Sequence, residues 1–555
     1  MKHQKLMKND TATLNGLWAR LLIKELVHHG VRSFCIAPGS RSSALVAAAA
    51  RAPLAETFVH YDERGLGFHA LGYAKSHGRP VAIIVTSGTA VGNLLPAVME
   101  AHHDHIPLII LTADRPPELQ DCGANQTSVQ RGLFKEFVRW EGELPCPDGK
   151  VVQSYVGTTV SQMVSHASLE PRGPVHLNCQ FRKPFFGKDE QVTSHQAQTS
   201  LSFGKRVVED KEQIELAEML GQYEKGVILV SGEAKEAEEL SKRLQWPIFP
   251  DVLSPVRSRE TASYYDLMIR AIGTHEDFAP NAVLQFGDRF VSSALYDWLS
   301  FKRPKVYCQI ASHHKRKDPI HGVTHRVVGE VPNLPCYVQE RSSSKWLDGW
   351  KELNELTAKG VAAYFDHHQE LTEPHLFHRL EGEVFFFANS MVIRNADAFF
   401  VPEKGAQTFG NRGLSGIDGN IATVAGIARG CERPVTALIG DQAFLHDLSS
   451  LAQLKDLPVK LIVINNQGGD IFSFLPIDQD LFKPYFSTPH TADFKHAASL
   501  FGLRYENPTT IDELLEIPHG TLVEVKTKPG DNLKIHQEVL ENLKISINRF
   551  NQPDL

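Results

Sequence analysis

Hydrophobic residues along this 555-residue chain switch repeatedly between helical spacing and short, unbroken apolar runs. Leu14, Trp18, Leu21, Leu22 and Leu26 recur on one helix face until Gly30, a C-terminal stop, and VRSFCIA follows as a run of strand length. Next come the turn and helix of PGSRSSALVAAAA, an apolar run ending in TFVHYDERG, a helix through GFHALGYAKSHG, the strand VAIIVTSG, the helix AVGNLLPAVMEAHH and the strand LIILTADRP. Strands that alternate with helices of this length predict a parallel sheet covered on both faces.

The alternation occurs in three blocks. Between Phe186 and Gly204 the composition turns polar and aperiodic, as an interdomain linker does. A second block holds VILVSG, a helix around Ala234 to Leu244, WPIFPDVLS, AVLQFGD and a helix around Ser292 to Leu299. After SSSKWLDGWKELNE a third begins: VFFFANS, a helix from Val392, the loop FGNRGLSGIDG, a helix to Gly430, VTALIGD, a helix to Leu457, and KLIVINNQGGD. The expected fold class is α/β, with three doubly wound parallel-sheet domains at residues 1–185, 205–340 and 355–555.

Composition narrows the function. Lys plus Arg number 58 against 65 Asp plus Glu, a net charge of −7, so the positive field that phosphate-backbone binding needs is missing and nucleic acid is not an expected partner. The seven Cys stand singly, without the CxxC pairs of zinc knuckles or a disulfide framework. MKHQKLMKND lacks an apolar signal core, and no run approaches the roughly 18 apolar residues that span a bilayer. The expectation is a cytoplasmic protein with no membrane segment. The His clusters (His102, His103 and His105; His313 and His314; His367 and His368) are expected to be solvated or capping, because adjacent histidines do not easily share one ion.

In open parallel sheets ligands bind at the carboxyl ends of strands, so the strand-to-helix turns are where chemistry is sought. Asp441, after Gly440, closes the strand of VTALIGD, and Asn465 and Asn466 close the next one, Asn466 lying 25 positions after Asp441. A carboxylate, an amide oxygen and a backbone carbonyl near Gly468 supply hard oxygen ligands for Mg²⁺ or Mn²⁺, and the metal in turn holds a diphosphate. Singly, Asp441 reads as a helix N-cap and the asparagines as a turn. Together they form the signature of thiamine-diphosphate enzymes. That chemistry requires a carboxylate against the cofactor's pyrimidine ring, and Glu63 in FVHYDERGLGFHA supplies it. Gly65 and Gly67 are expected to allow close approach of the ring.

APGSRSS, HYDERG, TSGTA, LTADRPPEL with DCGANQ, NRGLSGIDG, GDQA and NNQGGDIFSFLP extend the match over nearly the whole chain. In these segments it resembles the 2-succinyl-5-enolpyruvyl-6-hydroxy-3-cyclohexene-1-carboxylate synthases, thiamine-diphosphate enzymes of menaquinone biosynthesis. The resemblance implies decarboxylation of 2-oxoglutarate and a Stetter-like 1,4-addition of the succinyl carbanion to isochorismate. It implies thiamine diphosphate and Mg²⁺ (or Mn²⁺) as cofactors, and a homodimer or dimer of dimers whose first and third domains pair between subunits. Both substrates are dicarboxylates, which suits a site with several guanidinium groups. By resemblance Ser40, Arg41, Arg115 and Gln126 face isochorismate, while Ser390, Arg394 and Arg412 hold the oxoglutarate-derived carboxylate. Ser390 and Arg394, four positions apart, are expected on one helix face. Ile417 resembles the residue that props the cofactor in its bent form, and Ile471, Phe472 and Leu475 the apolar wall over its reactive carbon. A basic pair usual in the family is replaced by Ser293 and Ala294, with Arg289 or Lys302 as substitutes. Two rival readings are another thiamine-diphosphate-dependent 2-oxoacid carboligase or decarboxylase, and a non-catalytic subunit of the same fold.

Overall fold

The computed structural model describes residues 10–185 and 199–551; most of the expected linker and of the opening decapeptide lies outside them. Among the described residues, three parallel sheets of six, five and six strands follow the three blocks of the sequence. The first is built from β1 (Ser33–Ile36), β2 (Glu56–Val59), β3 (Val81–Val85), β4 (Leu108–Asp114), β5 (Glu141–Leu144) and β6 (Val175–Gln180), in the order β2-β1-β3-β4-β6-β5. β3 and β4 pair from Val81 opposite Leu108 to Val85 opposite Thr112, and every residue of both is buried. Two-faced burial explains why they read as continuous apolar runs.

The second sheet holds β7 (Gly226–Ser231), β8 (Ile248–Pro250), β9 (Ala282–Gly287), β10 (Val306–Ala311) and β11 (His325–Val328), in the order β11-β10-β9-β7-β8. The third holds β12 (Val384–Phe387), β13 (Gln407–Phe409), β14 (Val435–Gly440), β15 (Val459–Asn465), β16 (Arg504–Glu506) and β17 (Thr521–Lys526), in the order β13-β12-β14-β15-β17-β16. In the first and third sheets the first strand of the block pairs with both its successors, so strand order reverses there and opens a crevice at the carboxyl ends.

Contacts divide the chain into two compact units that do not follow the sheets alone. One gathers the described residues up to Phe203 with Asn411–Arg433 and Leu445–Val459; the other gathers Gly204–Gly410, Pro434–Phe444 and the described residues from Lys460 onward. In the first unit the helix Glu63–His77 crosses the helix Asn420–Cys431 at backbone contact. A Cβ at Gly72 would lie 2.0 Å from the Thr423 carbonyl oxygen, and one at Gly426 2.1 Å from that of His69. In the second unit the buried Arg257 donates to the carbonyls of Pro250 (3.0 Å), Ser263 (2.8 Å), Asp397 (2.6 Å) and Phe400 (3.0 Å), tying the second sheet to the helix Met391–Phe399.

Two helices differ from expectation. The segment AVGNLLPAVMEAHH breaks into Thr89–Gly92 and Leu95–His103, because Pro96 lacks the N–H and the room a continuous helix needs. The helix expected to reach Leu457 ends at His446 and gives way to a 3₁₀ turn, Leu448–Leu454. Asp447 is the cause: its buried carboxylate is taken by Ala422 N (3.0 Å), Ser450 Oγ (2.7 Å) and Arg64 (3.0 Å). No helix among the described residues is long and apolar enough to cross a membrane.

Candidate active site

β14 delivers Asp441 buried at the first turn of the short helix Asp441–His446. Its Oδ1 accepts from Gln442 N (2.6 Å) and its Oδ2 from Gly468 N (2.9 Å), with His490 Nε2 at 3.2 Å. Gly468 must be glycine, since a Cβ there would stand 2.4 Å from the Ser487 carbonyl oxygen. The two asparagines after β15 diverge. Asn465 donates to Glu524 (2.6 Å) and accepts from Gln467 N (3.0 Å), so both its amide nitrogen and its amide oxygen have partners. Asn466 donates through Nδ2 to Glu373 (3.1 Å), while its Oδ1 is buried without a partner among the described residues.

Two carboxylates that the sequence did not single out share this pocket, Glu373 and Asp470, both buried. Burial pushes Glu373 up to about 7 and raises Asp470 and Asp441, and the negative charge of Asp441 reinforces the rise in the other two. Among the described residues no Lys or Arg pairs with any of the three. A cluster of buried carboxylates without a Lys or Arg partner among the described residues, beside an orphaned amide oxygen, fits a hard divalent ion bound by oxygen. Asp441, Asn466 and the Gly468 carbonyl are the residues suited to hold it; at Gly440 a Cβ would meet nothing, leaving open space at the end of β14.

In the same unit a cavity of about 490 Å³ is lined by Arg394, Met391, Ile471, Phe472, Phe474 and Leu475, with Arg270, Ser292, Ser293 and His536. Ile471, Phe472 and Phe474 come from the turn Asp470–Phe474, Leu475 from just after it, and Met391 from the helix Met391–Phe399. Ser390 departs from expectation. It precedes the helix Met391–Phe399 with φ +71°, a strained conformation for a residue with a side chain, and does not line the cavity. Arg394 therefore does not share a helical face with it but donates to its carbonyl at 2.6 Å. Burial lowers the pKa of Arg394. Ser292 and Ser293 stand in the wall, and the second cation there is Arg270, paired with Asp266 at 2.8 Å. Lys302 is committed elsewhere, to the carbonyls of Thr274 (2.8 Å) and His275 (3.0 Å), and Arg289 does not line the cavity.

The first unit carries the other expected residues. Glu63 is the first residue of its helix, half-buried after the N-cap Asp62, and among the described residues its carboxylate takes no hydrogen bond or ion pair. Gly65 and Gly67 serve packing rather than ring approach: a Cβ at Gly65 would meet Ser450 Oγ at 2.7 Å, and one at Gly67 the Ala97 Cβ at 2.9 Å. Arg41 and Arg115 are brought together at the ends of β1 and β4, each with its pKa lowered by burial, Arg41 also by the charge of Arg115. Arg41 donates to the Phe181 carbonyl (2.6 Å) and lies 4.7 Å from the Phe185 ring centroid; Arg115 donates to the Asn125 carbonyl (2.6 Å) and to Ser87 Oγ. Gln126, at φ +56°, donates to the Ser87 carbonyl at 3.0 Å, and Ser40 is exposed in the turn after β1.

The loop of Arg412 and Ile417 also belongs to the first unit. Glu100 accepts from Gly413 N and Leu414 N at 2.7 Å each and pins it. Nothing in the sequence around Glu100 announced that role, because its partners lie more than 300 positions away. Of the His clusters, His102 and His105 contact Arg139 (2.8 and 3.1 Å), and His367 and His368 meet helix carbonyls (2.8 and 2.9 Å).

Family comparison agrees with this layout. The N-terminal thiamine pyrophosphate-binding domain model matches residues 18–136, the middle-domain model 193–385 and the C-terminal thiamine pyrophosphate-binding domain model 392–520. Proteins named 2-succinyl-5-enolpyruvyl-6-hydroxy-3-cyclohexene-1-carboxylate synthase are similar along their whole length. That of Rubrobacter xylanophilus is 42% identical, covering 96% of this chain and 99% of its own. That of Salinibacter ruber is 39% identical, with 99% of both chains covered. That of Vibrio cholerae is 36% identical over 94% of this chain and 97% of its own. The chain belongs to the 2-succinyl-5-enolpyruvyl-6-hydroxy-3-cyclohexene-1-carboxylate synthase family of thiamine pyrophosphate enzymes.

Proposed function

We propose that this protein catalyses the decarboxylation of 2-oxoglutarate and the 1,4-addition of the succinyl unit to isochorismate, with thiamine diphosphate and Mg²⁺ or Mn²⁺, as a transferase of menaquinone biosynthesis in the cytoplasm. The observation that carries the reading is the pairing of Arg394 with the apolar wall of Ile471, Phe472 and Leu475 in one cavity. A small acid with a charged distal end and a reacting centre that must stay dry requires both.

When bound, thiamine diphosphate would supply an acidic carbon whose conjugate base is a nucleophile for a 2-oxo group, and a ring that can accept the electron pair left behind by CO₂. The protein's own part is binding, orientation and proton control. Asp441, Asn466 and the Gly468 carbonyl hold the metal, and Gly440 leaves room for the diphosphate. Glu63 shares a proton with the pyrimidine ring, and Ile417 props the cofactor's shape. Arg394, held by the Ser390 carbonyl to which it donates, takes the distal carboxylate of 2-oxoglutarate, and the apolar wall excludes water from the reacting centre. Ser40, Arg41, Arg115 and Gln126 receive isochorismate, whose two carboxylates suit the adjacent guanidinium groups.

We assign the three functional domains to residues 1–185, 205–340 and 355–555. The working unit is a homodimer or dimer of dimers in which Glu63 of one protomer and Asp441 of its partner serve one cofactor. CO₂ release from a panel of 2-oxoacids tests the substrate assignment. Release from 2-oxoglutarate is expected to exceed that from pyruvate and 2-oxobutyrate by far, and Arg394→Ala to erase the difference. Equal use of pyruvate by the unaltered protein would favour a general 2-oxoacid decarboxylase instead.

A further inference from the structure

Glu373 opens the helix Glu373–His378, buried, and all four of its hydrogen-bond partners are donors. Oε1 accepts from Asn466 Nδ2 (3.1 Å) and Thr527 Oγ1 (3.2 Å), and Oε2 from Asn395 Nδ2 (3.2 Å) and Asn532 Nδ2 (2.9 Å). A carboxylate only accepts, so each of the three amides must turn its NH₂ toward it. Asn466 is left with one orientation. Its Oδ1 faces the other way, buried and without a partner among the described residues.

We propose that Glu373 is a positioning residue for the metal: by receiving the Asn466 amide nitrogen it aims the Asn466 oxygen at the cation. The inference rests on the reading of Asp441 and Asn466 as metal ligands. Partners that orient a ligand in this way typically govern metal affinity by about 10- to 100-fold. The same carboxylate reaches the substrate cavity, for Asn395 follows Arg394 in sequence and its Oδ1 accepts from His536 Nε2 at 2.8 Å. One buried acceptor thus fixes both the metal ligand and the helix that carries the substrate arginine.

Glutamine at this position keeps the shape and loses the polarity. Its NH₂ would oppose the donors on one side and favour a flipped Asn466. Pairing Glu373→Gln with Asn466→Asp restores complementarity, because the glutamine oxygen then accepts from Asn395 and Asn532 while its nitrogen donates to the new carboxylate and to Thr527 Oγ1. The test is a calorimetric titration of Mg²⁺ into the full-length protein saturated with thiamine diphosphate, with folding checked by circular dichroism. Glu373→Gln is expected to weaken Mg²⁺ binding by about 10- to 100-fold, and the double variant to recover wild-type affinity or better. Unchanged affinity in Asp441→Ala would overturn the metal reading itself. Loss in Asp441→Ala with wild-type affinity in Glu373→Gln, or no recovery in the double variant, would overturn the positioning role alone. If Glu373→Gln does not fold, the double variant carries the test: folded protein that binds Mg²⁺ supports the proposal, and folded protein that does not bind it refutes it.

Discussion

Glu63 begins its helix with a carboxylate that no other described residue engages, while its neighbour Asp62 does the capping, accepting from Arg64 N at 3.0 Å. The division leaves Glu63 available for a cofactor. Glu63→Gln should bind thiamine diphosphate but exchange its thiazolium C2 proton slowly, since an amide cannot share a proton with the pyrimidine ring as a carboxylate does. Exchange as fast as in the unaltered protein, measured by NMR, would remove Glu63 from that role. The arginines divide in the same way. Losing a charged partner in a desolvated site typically costs about 2 to 5 kcal/mol, roughly 30-fold to several-thousand-fold. Arg394→Ala should therefore slow CO₂ release from 2-oxoglutarate, whereas Arg41→Ala should spare a single round of release and block capture by isochorismate. Single-turnover measurements separate these steps, and identical defects in both variants would contradict the division. Asp441 and Asn466 were legible in the sequence because strand ends and spacing mark them. Glu373 and Glu100 were not, because a buried acceptor is recognised only by the donors the fold brings to it, from Asn395 to Asn532 for one and from Gly413 and Leu414 for the other.

Helix on helix, the first unit depends on glycine. The contact between Glu63–His77 and Asn420–Cys431 is close enough that Gly72→Ala would press a methyl group against the Thr423 backbone, 2.0 Å from its carbonyl oxygen. Overpacking of this kind costs about 1 to 3 kcal/mol, so urea denaturation should find Gly72→Ala less stable by at least that much. A variant as stable as the parent would show that the two helices part easily. The elements themselves were readable from hydrophobic period: β3, β4, β14 and β15 are buried throughout or nearly so and appear as unbroken runs. What the period misses is tertiary capture. Asp447 looks like any polar residue in a helical stretch, yet its hold on Ala422 N ends that helix early. Likewise Gly65 and Gly67 look like room left for a ligand, and only the packed neighbours Ser450 and Ala97 reveal what the room is for. Ser390 reads as a helical partner of Arg394 until its φ of +71° puts it ahead of the helix.

At the scale of the molecule, the residues assigned to one reaction are spread over distant parts of the chain: Glu63, Arg41 and Arg115 belong to the first compact unit, Asp441, Asn466 and Arg394 to the second. In the proposed assembly two protomers paired by a two-fold axis would supply each cofactor with both sets, so the proposal requires an active species that is at least a dimer. Sedimentation at assay concentration should show that dimer or a larger closed form, and a fully active monomer would contradict the assignment. The reaction itself is tested most directly by its product. With thiamine diphosphate, Mg²⁺, 2-oxoglutarate and isochorismate present together, mass spectrometry and NMR should identify 2-succinyl-5-enolpyruvyl-6-hydroxy-3-cyclohexene-1-carboxylate, formed in step with CO₂ and only when both substrates are supplied. Formation of succinic semialdehyde alone, with isochorismate recovered unchanged, would contradict it.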